Sequence, residues 1–210
     1  MPPKPVVKSS ALVQKAENFM LDSFSDFRSK IPRVIGEGMV RHNLQCREHV
    51  KELVEKGMDA EALEVAALLH NIGRAYIKNN RYPQFDKLAL ADKSAEIAAD
   101  FLRKQKVKPD VINRVKKFIK LHEKGGTKEV QILVEADGIA FLENTLPIWF
   151  EVGLWMGQSK EMLIDTSREK VEAEYKQIKS KKGREIAKRF YDKWTRWLEQ
   201  KEEVVKQEQY

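Results

Sequence analysis

The chain has 210 residues, 42% hydrophobic and 34% charged, with a formal net charge of +7. That length supports one domain with a real core and is short for two. The single cysteine, Cys46, excludes an internal disulfide framework and any cysteine-based zinc site, and no run reaches the roughly 20 apolar residues of a membrane span.

A reducing, cytoplasmic setting with no membrane partner is therefore expected. The positive balance favours encounters with polyanions, from nucleotides to nucleic acids. Helix formers recur throughout and strand-like alternation is nearly absent. The expected fold is all-α, a compact single-domain helical bundle. Residues 1–8 lack the apolar core of a signal peptide and are expected to be a disordered arm. The helical domain then covers 9–210, with its core at about 35–145 and C-terminal helices at about 160–207.

Ser9 or Ser10 is placed to cap a first helix running to about Phe27, with Leu12, Ala16, Met20 and Phe24 on one face. Pro32 and Gly36 break the chain. The second helix is expected from near Glu37 to Gly57, its C-terminal cap, with His42 and His49 on one face. Asp59 suits the N-cap of the next helix, with Glu61 near the positive end of its dipole. Glu64 to Leu69 has almost no polar face, as suits a helix buried on most sides. It ends in His70-Asn71, with Gly73 for a turn and then Arg74. A buried helix that suddenly presents such groups sets them at the edge of the core, where helical bundles build metal sites.

A loop from Asn79 to Asp86 follows, suited to substrate contacts, then a helix from about Leu88 to Lys104. Pro109 and Asp110 start a helix that ends at Gly125-Gly126. Thr127 caps one over about 128–143 that carries Asp137. Pro147 interrupts the chain before Trp149, Phe150 and Trp155, a segment that is either a homodimer contact or core. The last two helices are expected over 160–179 and 181–207. Basic residues cluster at 103–120 and 176–189. Phe190, Tyr191, Trp194 and Trp197 follow at the three- and four-residue steps of a packing stripe.

The run Ala66-Ala67-Leu68-Leu69-His70-Asn71-Ile72-Gly73-Arg74 resembles the His-Asp motif of the HD superfamily of metal-dependent phosphohydrolases, with Asn71 where that family has Asp. His42, 28 residues upstream, matches the family's early histidine, and Asp137 its distant aspartate. His122 matches an extra histidine of many members. The resemblance covers roughly 35–145. It implies that His42, His70, Asn71 and Asp137 hold a divalent metal. The donor types suit Mn, Fe, Co, Ni or Zn, and less readily Mg.

Arg74 follows the motif and is suited to meet a phosphate by bidentate hydrogen bonds, and the resemblance implies that His122 takes part in the site. Lys78 and Arg81 are candidates of the same kind as Arg74, and Glu123 a candidate acid or base. A further family histidine is replaced by Leu90, and Asp86 and Asp92 are nearby acids. Each residue also has a plainer role. His70 suits a core histidine, Asn71 a helix-ending cap, Asp137 a buried acid, Arg74 a surface cation, and His49 a structural residue.

The function implied is hydrolysis of a nucleotide or another small phosphate ester. Asn71 leaves the site one charge more positive than the family pattern. The alternatives are a degenerate member that binds a ligand or partner, and a basic nucleic-acid-binding protein.

Overall fold

The computed structural model describes residues 9–28, 33–76 and 86–208, and no strand occurs among them. The helices are α1 (Ala11–Arg28), α2 (Arg33–Leu53), α3 (Ala60–Leu69), α4 (Lys87–Lys104), α5 (Pro109–Leu121), α6 (Lys128–Ala140), α7 (Leu146–Trp155), α8 (Lys160–Gln177) and α9 (Lys181–Glu208). The all-α bundle expected from composition is what forms. None of these helices is long and apolar enough to cross a membrane.

Side chains start the helices where the sequence indicates. Ser10, not Ser9, accepts from the Val13 N–H at 3.2 Å, Asp59 from Ala62 at 3.1 Å, and Thr127 from Val130 at 3.4 Å. The second helix differs. It begins at Arg33, so Gly36 lies inside it, and it ends at Leu53. Gly57 sits in the following turn, where its φ of +93° suits glycine.

α3 is the hub. Ala62, Leu63, Val65, Ala66, Ala67, Leu68 and Leu69 are all buried, and α1, α2, α5 and α6 surround it. Each buried leucine contributes about 1.5–3 kcal/mol. The chain then tightens into a 3-10 turn, Ile72–Tyr76. Gly73 is needed there for closeness, not for the conformational freedom expected of it. Its φ is not positive, its N–H donates to Ser94 Oγ at 3.0 Å, and a Cβ would stand 2.8 Å from that oxygen.

Pro147 does not interrupt the chain. α6 passes through a π-helical turn, Phe141–Thr145, directly into α7. Proline has no N–H to return to the preceding turn, and the Leu142 carbonyl instead accepts from the Trp194 indole of α9. The aromatic segment beyond divides. Phe150 is in the core, while Trp155 is 70% exposed. The α9 stripe packs as its spacing suggests, with the Trp197 ring edge-on to Phe150 at 5.1 Å and to Trp194 at 5.8 Å.

One buried acid holds the C-terminal pair. Glu135 Oε1 accepts from the backbone N–H groups of Lys179 and Ser180, each at 2.9 Å, just where α9 begins, and Oε2 accepts from Ser180 Oγ. Removing that carboxylate strands two backbone donors and the Ser180 hydroxyl. Glu135→Ala should therefore cost about 2–4 kcal/mol, read as a lower urea midpoint. An unchanged midpoint would mean that water replaces the cap.

Candidate metal centre

α3 and α5 end in the same way, each in a histidine that folds back on its own last turn. His70 Nδ1 lies 2.8 Å from the Ala67 carbonyl and His122 Nδ1 lies 2.6 Å from the Ile119 carbonyl. A carbonyl only accepts, so Nδ1 carries the proton in both rings and Nε2 keeps its lone pair. The rings meet edge to face, 5.2 Å apart. α2 brings His42, its ring 5.4 Å from that of His70. Thr145 Oγ1, placed by the π-helical turn, stands 3.0 Å from His42 Nδ1 and is positioned to accept its proton.

α6 supplies the carboxylate. Asp137 Oδ1 is 2.8 Å from His42 Nε2 and 3.3 Å from His70 Nε2. One donor atom from each of His42, His70 and Asp137 falls within 4.8 Å of the others. Both histidines are buried, and the Asp137 side chain is 26% exposed, so the cluster opens on the aspartate side. Burial pushes the Asp137 carboxyl up, but the His42 and His70 Nε2 atoms beside it, each able to donate once its ring takes a second proton, outweigh that and hold the group well below the usual carboxylate range. His122 is held below the ordinary histidine range by burial first and His70 second. Two imidazoles with anchored Nδ1 atoms and one ready carboxylate fit a divalent first-row cation, because such anchoring is what orients metal-binding histidines.

The family model of the HD domain matches residues 39–142, a span holding His42, His70, His122 and Asp137. The chain belongs to the HD superfamily. Comparison with curated proteins and with solved structures found no match.

At Asn71, where the sequence resemblance leads one to expect an aspartate, the structure shows where the side chain goes. Its Nδ2 lies 2.6 Å from His70 Nε2 and 3.4 Å from Asn43 Oδ1, while its Oδ1 accepts from Arg74 Nε at 2.9 Å. The expected fourth ligand thus lies beside the cluster with its oxygen turned to Arg74 and its N–H groups turned to His70. Coordination through that oxygen requires the amide to turn over and give up Arg74. The same bond keeps the Arg74 guanidinium next to the HD cluster.

The other sequence candidates separate cleanly. Asp86 caps α4 through the Leu88 N–H at 3.0 Å, and Asp92 pairs with Lys120 at 3.0 Å. Neither joins the cluster. Leu90 is buried against Gly73. Glu123 stands at the edge, 3.6 Å from His122 Nε2 and 3.5 Å from Lys87 Nζ. His49 pairs with Glu143 at 2.7 Å, away from the cluster. Lys78, Arg81 and most of the loop around them lie outside the described residues. Much of the basic stretch on α4 and α5 is ion-paired, with Arg114 on Asp59 and Asp110, and Lys116 on Glu96.

Sequence reasoning missed Asn43 and Thr145. Asn43 is wholly buried and donates to the Leu68 carbonyl at 3.2 Å, covering an open carbonyl at the end of α3. Its signal was present, since Asn43 follows His42 as Asn71 follows His70. Thr145 had none, because only the π-helical turn aims it.

Proposed function

We propose that this HD protein is a metal-dependent phosphohydrolase acting on a nucleotide or another small phosphate ester. The observation that carries the reading is the convergence of His42 Nε2, His70 Nε2 and an Asp137 oxygen within 4.8 Å, beside an arginine held in place by Asn71. His42, His70 and Asp137 would hold the cation, which when bound supplies an acidified water and a Lewis acid for the phosphoryl oxygen. Arg74 binds phosphate oxygens, since a guanidinium matches them in a bidentate way. His122, neutral near pH 7 because burial lowers its basicity, accepts a hydrogen bond or a proton at Nε2. A cytoplasmic setting fits Cys46, which is buried and unpaired.

The test is phosphate release from nucleoside monophosphates and sugar phosphates by protein loaded with Mn, Co, Ni or Zn. Release that EDTA abolishes and the same metal restores is expected. Release indifferent to EDTA would remove the metal from the chemistry.

A second reading, binding without turnover, is favoured by the Asn71 amide, which turns N–H groups rather than an oxygen toward His70. Under it, the metal-loaded protein binds these esters and leaves them intact.

A further inference from the structure

α8 lies outside the residues that match the HD family, yet it packs directly on the helix that carries Asp137. Gly138 permits this. A Cβ there would stand 3.2 Å from the Glu174 carbonyl oxygen and 3.4 Å from its Oε2. Glu174 is 6% exposed and ion-pairs with Lys170, one turn earlier on α8. The Lys170 ammonium sits 5.0 Å from the centre of the Phe141 ring, one turn beyond Asp137. Burial lowers its basicity, but Glu174 and then Asp137 outweigh that and hold it above the ordinary lysine range.

From the other side Lys87, at the start of α4, reaches Glu123, which stands beside His122. Lys87 thus approaches from the His122 side of the cluster, and Lys170 from the side of the helix that carries Asp137.

The Lys170 side chain is only 21% exposed, against 91% for Lys181 in a comparable pair one helix on. An ion pair that deep gains little from its own attraction once desolvation is counted, so its position at the rim calls for another reason. We propose that Lys170 is a substrate-positioning residue, with Lys87 approaching from the His122 side, and that the two hold the phosphate of a phosphomonoester dianion. Resting on the phosphohydrolase reading, this names its substrate class. With a divalent ion counted beside Arg74, Lys87 and Lys170, and set against Asp137, Glu123 and Glu174, the site keeps two positive charges in excess. That excess matches the monoester dianion and exceeds what a singly charged phosphodiester offers.

The probe is inorganic phosphate, titrated calorimetrically into the Mn-loaded chain. Lys170→Met should weaken phosphate binding about tenfold or more while metal content stays at the wild-type level. Lys170→Arg should restore most of the loss, which a merely structural lysine would not require. In turnover the loss should fall on KM for a phosphomonoester and spare kcat.

A Lys170→Met protein that keeps its metal and binds phosphate like the wild type overturns the inference, as does a wild-type chain that binds no phosphate. If Lys170→Met does not fold, Lys87→Ala, on an exposed side chain, decides. A several-fold weaker phosphate affinity supports the pair, and an unchanged one overturns it. Phosphate binding that depends on Lys170, with no ester cleaved, keeps this inference and ends the hydrolase reading. Cleavage with phosphate affinity indifferent to Lys170 does the reverse.

Discussion

A His70→Ala variant should lose divalent-metal binding by about a hundredfold or more and stay folded. The first half follows from geometry. His70 Nε2 is one of three converging donors, its ring is 1% exposed, and its Nδ1 is already committed to the Ala67 carbonyl at 2.8 Å. The nearest other imidazole, His122, is held by the Ile119 carbonyl with its ring 5.2 Å from that of His70 and lies outside the three converging donors. Even the loss of an outer partner of a metal-binding histidine costs about 10- to 100-fold in affinity, and the loss of a ligand costs at least that.

The second half follows from magnitudes. The variant leaves a small void and one uncovered carbonyl, together about 2–4 kcal/mol, against the 5–15 kcal/mol typical of a domain. Elemental analysis of protein incubated with Mn, Ni or Zn and then desalted is the measurement. The wild type should hold about one ion per chain and the variant almost none. His49→Ala is the control. It removes a histidine from the same helix as His42 that pairs with Glu143 and is not among the converging donors, so its metal content should not change. Metal retained by His70→Ala would place the ion elsewhere, and metal absent from the wild type would remove the centre altogether.

How much of this was legible in the sequence depended on range. Caps at Asp59 and Thr127, the apolar run of α3 and its polar end are local, and each appears where the residues indicate. His42, His70 and Asp137 were legible as an ordered set, and the fold brings them together. What escaped depends on close approaches between helices. Gly73 reads as a turn glycine because sequence does not show Ser94 Oγ 3.0 Å from its N–H. Pro147 reads as a break because the donor that satisfies the Leu142 carbonyl comes from Trp194 on α9.

Glu135 and Glu174 carry no sequence signal of their roles, yet one caps α9 and the other holds Lys170. Asn71 was legible as a departure in charge but not in orientation. The direction of its amide is set by Arg74, three residues on, through a 3-10 turn that composition does not specify.

That orientation determines what Asn71→Asp should do. An aspartate there can still accept from Arg74 Nε, so the local turn survives. The difference lies on the other side, where an N–H now faces His70 Nε2 at 2.6 Å. A carboxylate has no proton to offer that lone pair, and it adds a second negative charge beside Asp137. Without a cation the variant should therefore be less stable than the wild type, by about 1–2 kcal/mol.

With a divalent cation the sign reverses, because the added charge and oxygen both face it. At an effective dielectric near 20, a unit charge about 4 Å from a unit charge is worth about 4 kcal/mol. Even after desolvation removes a third or more of that, metal affinity should rise about a hundredfold. Calorimetric metal titration reads the affinity, and a thermal scan with and without metal reads the linkage, since a ligand that binds only the folded state raises its melting temperature. Lower stability without metal together with higher stability with it is the expected pair. An affinity equal to the wild type would put side chain 71 outside the coordination sphere and leave its contact with Arg74 as its whole role. Hydrolysis gained by the variant and absent from the wild type would select binding without turnover as the natural function. Hydrolysis by both, with the variant needing less metal, would select the phosphohydrolase.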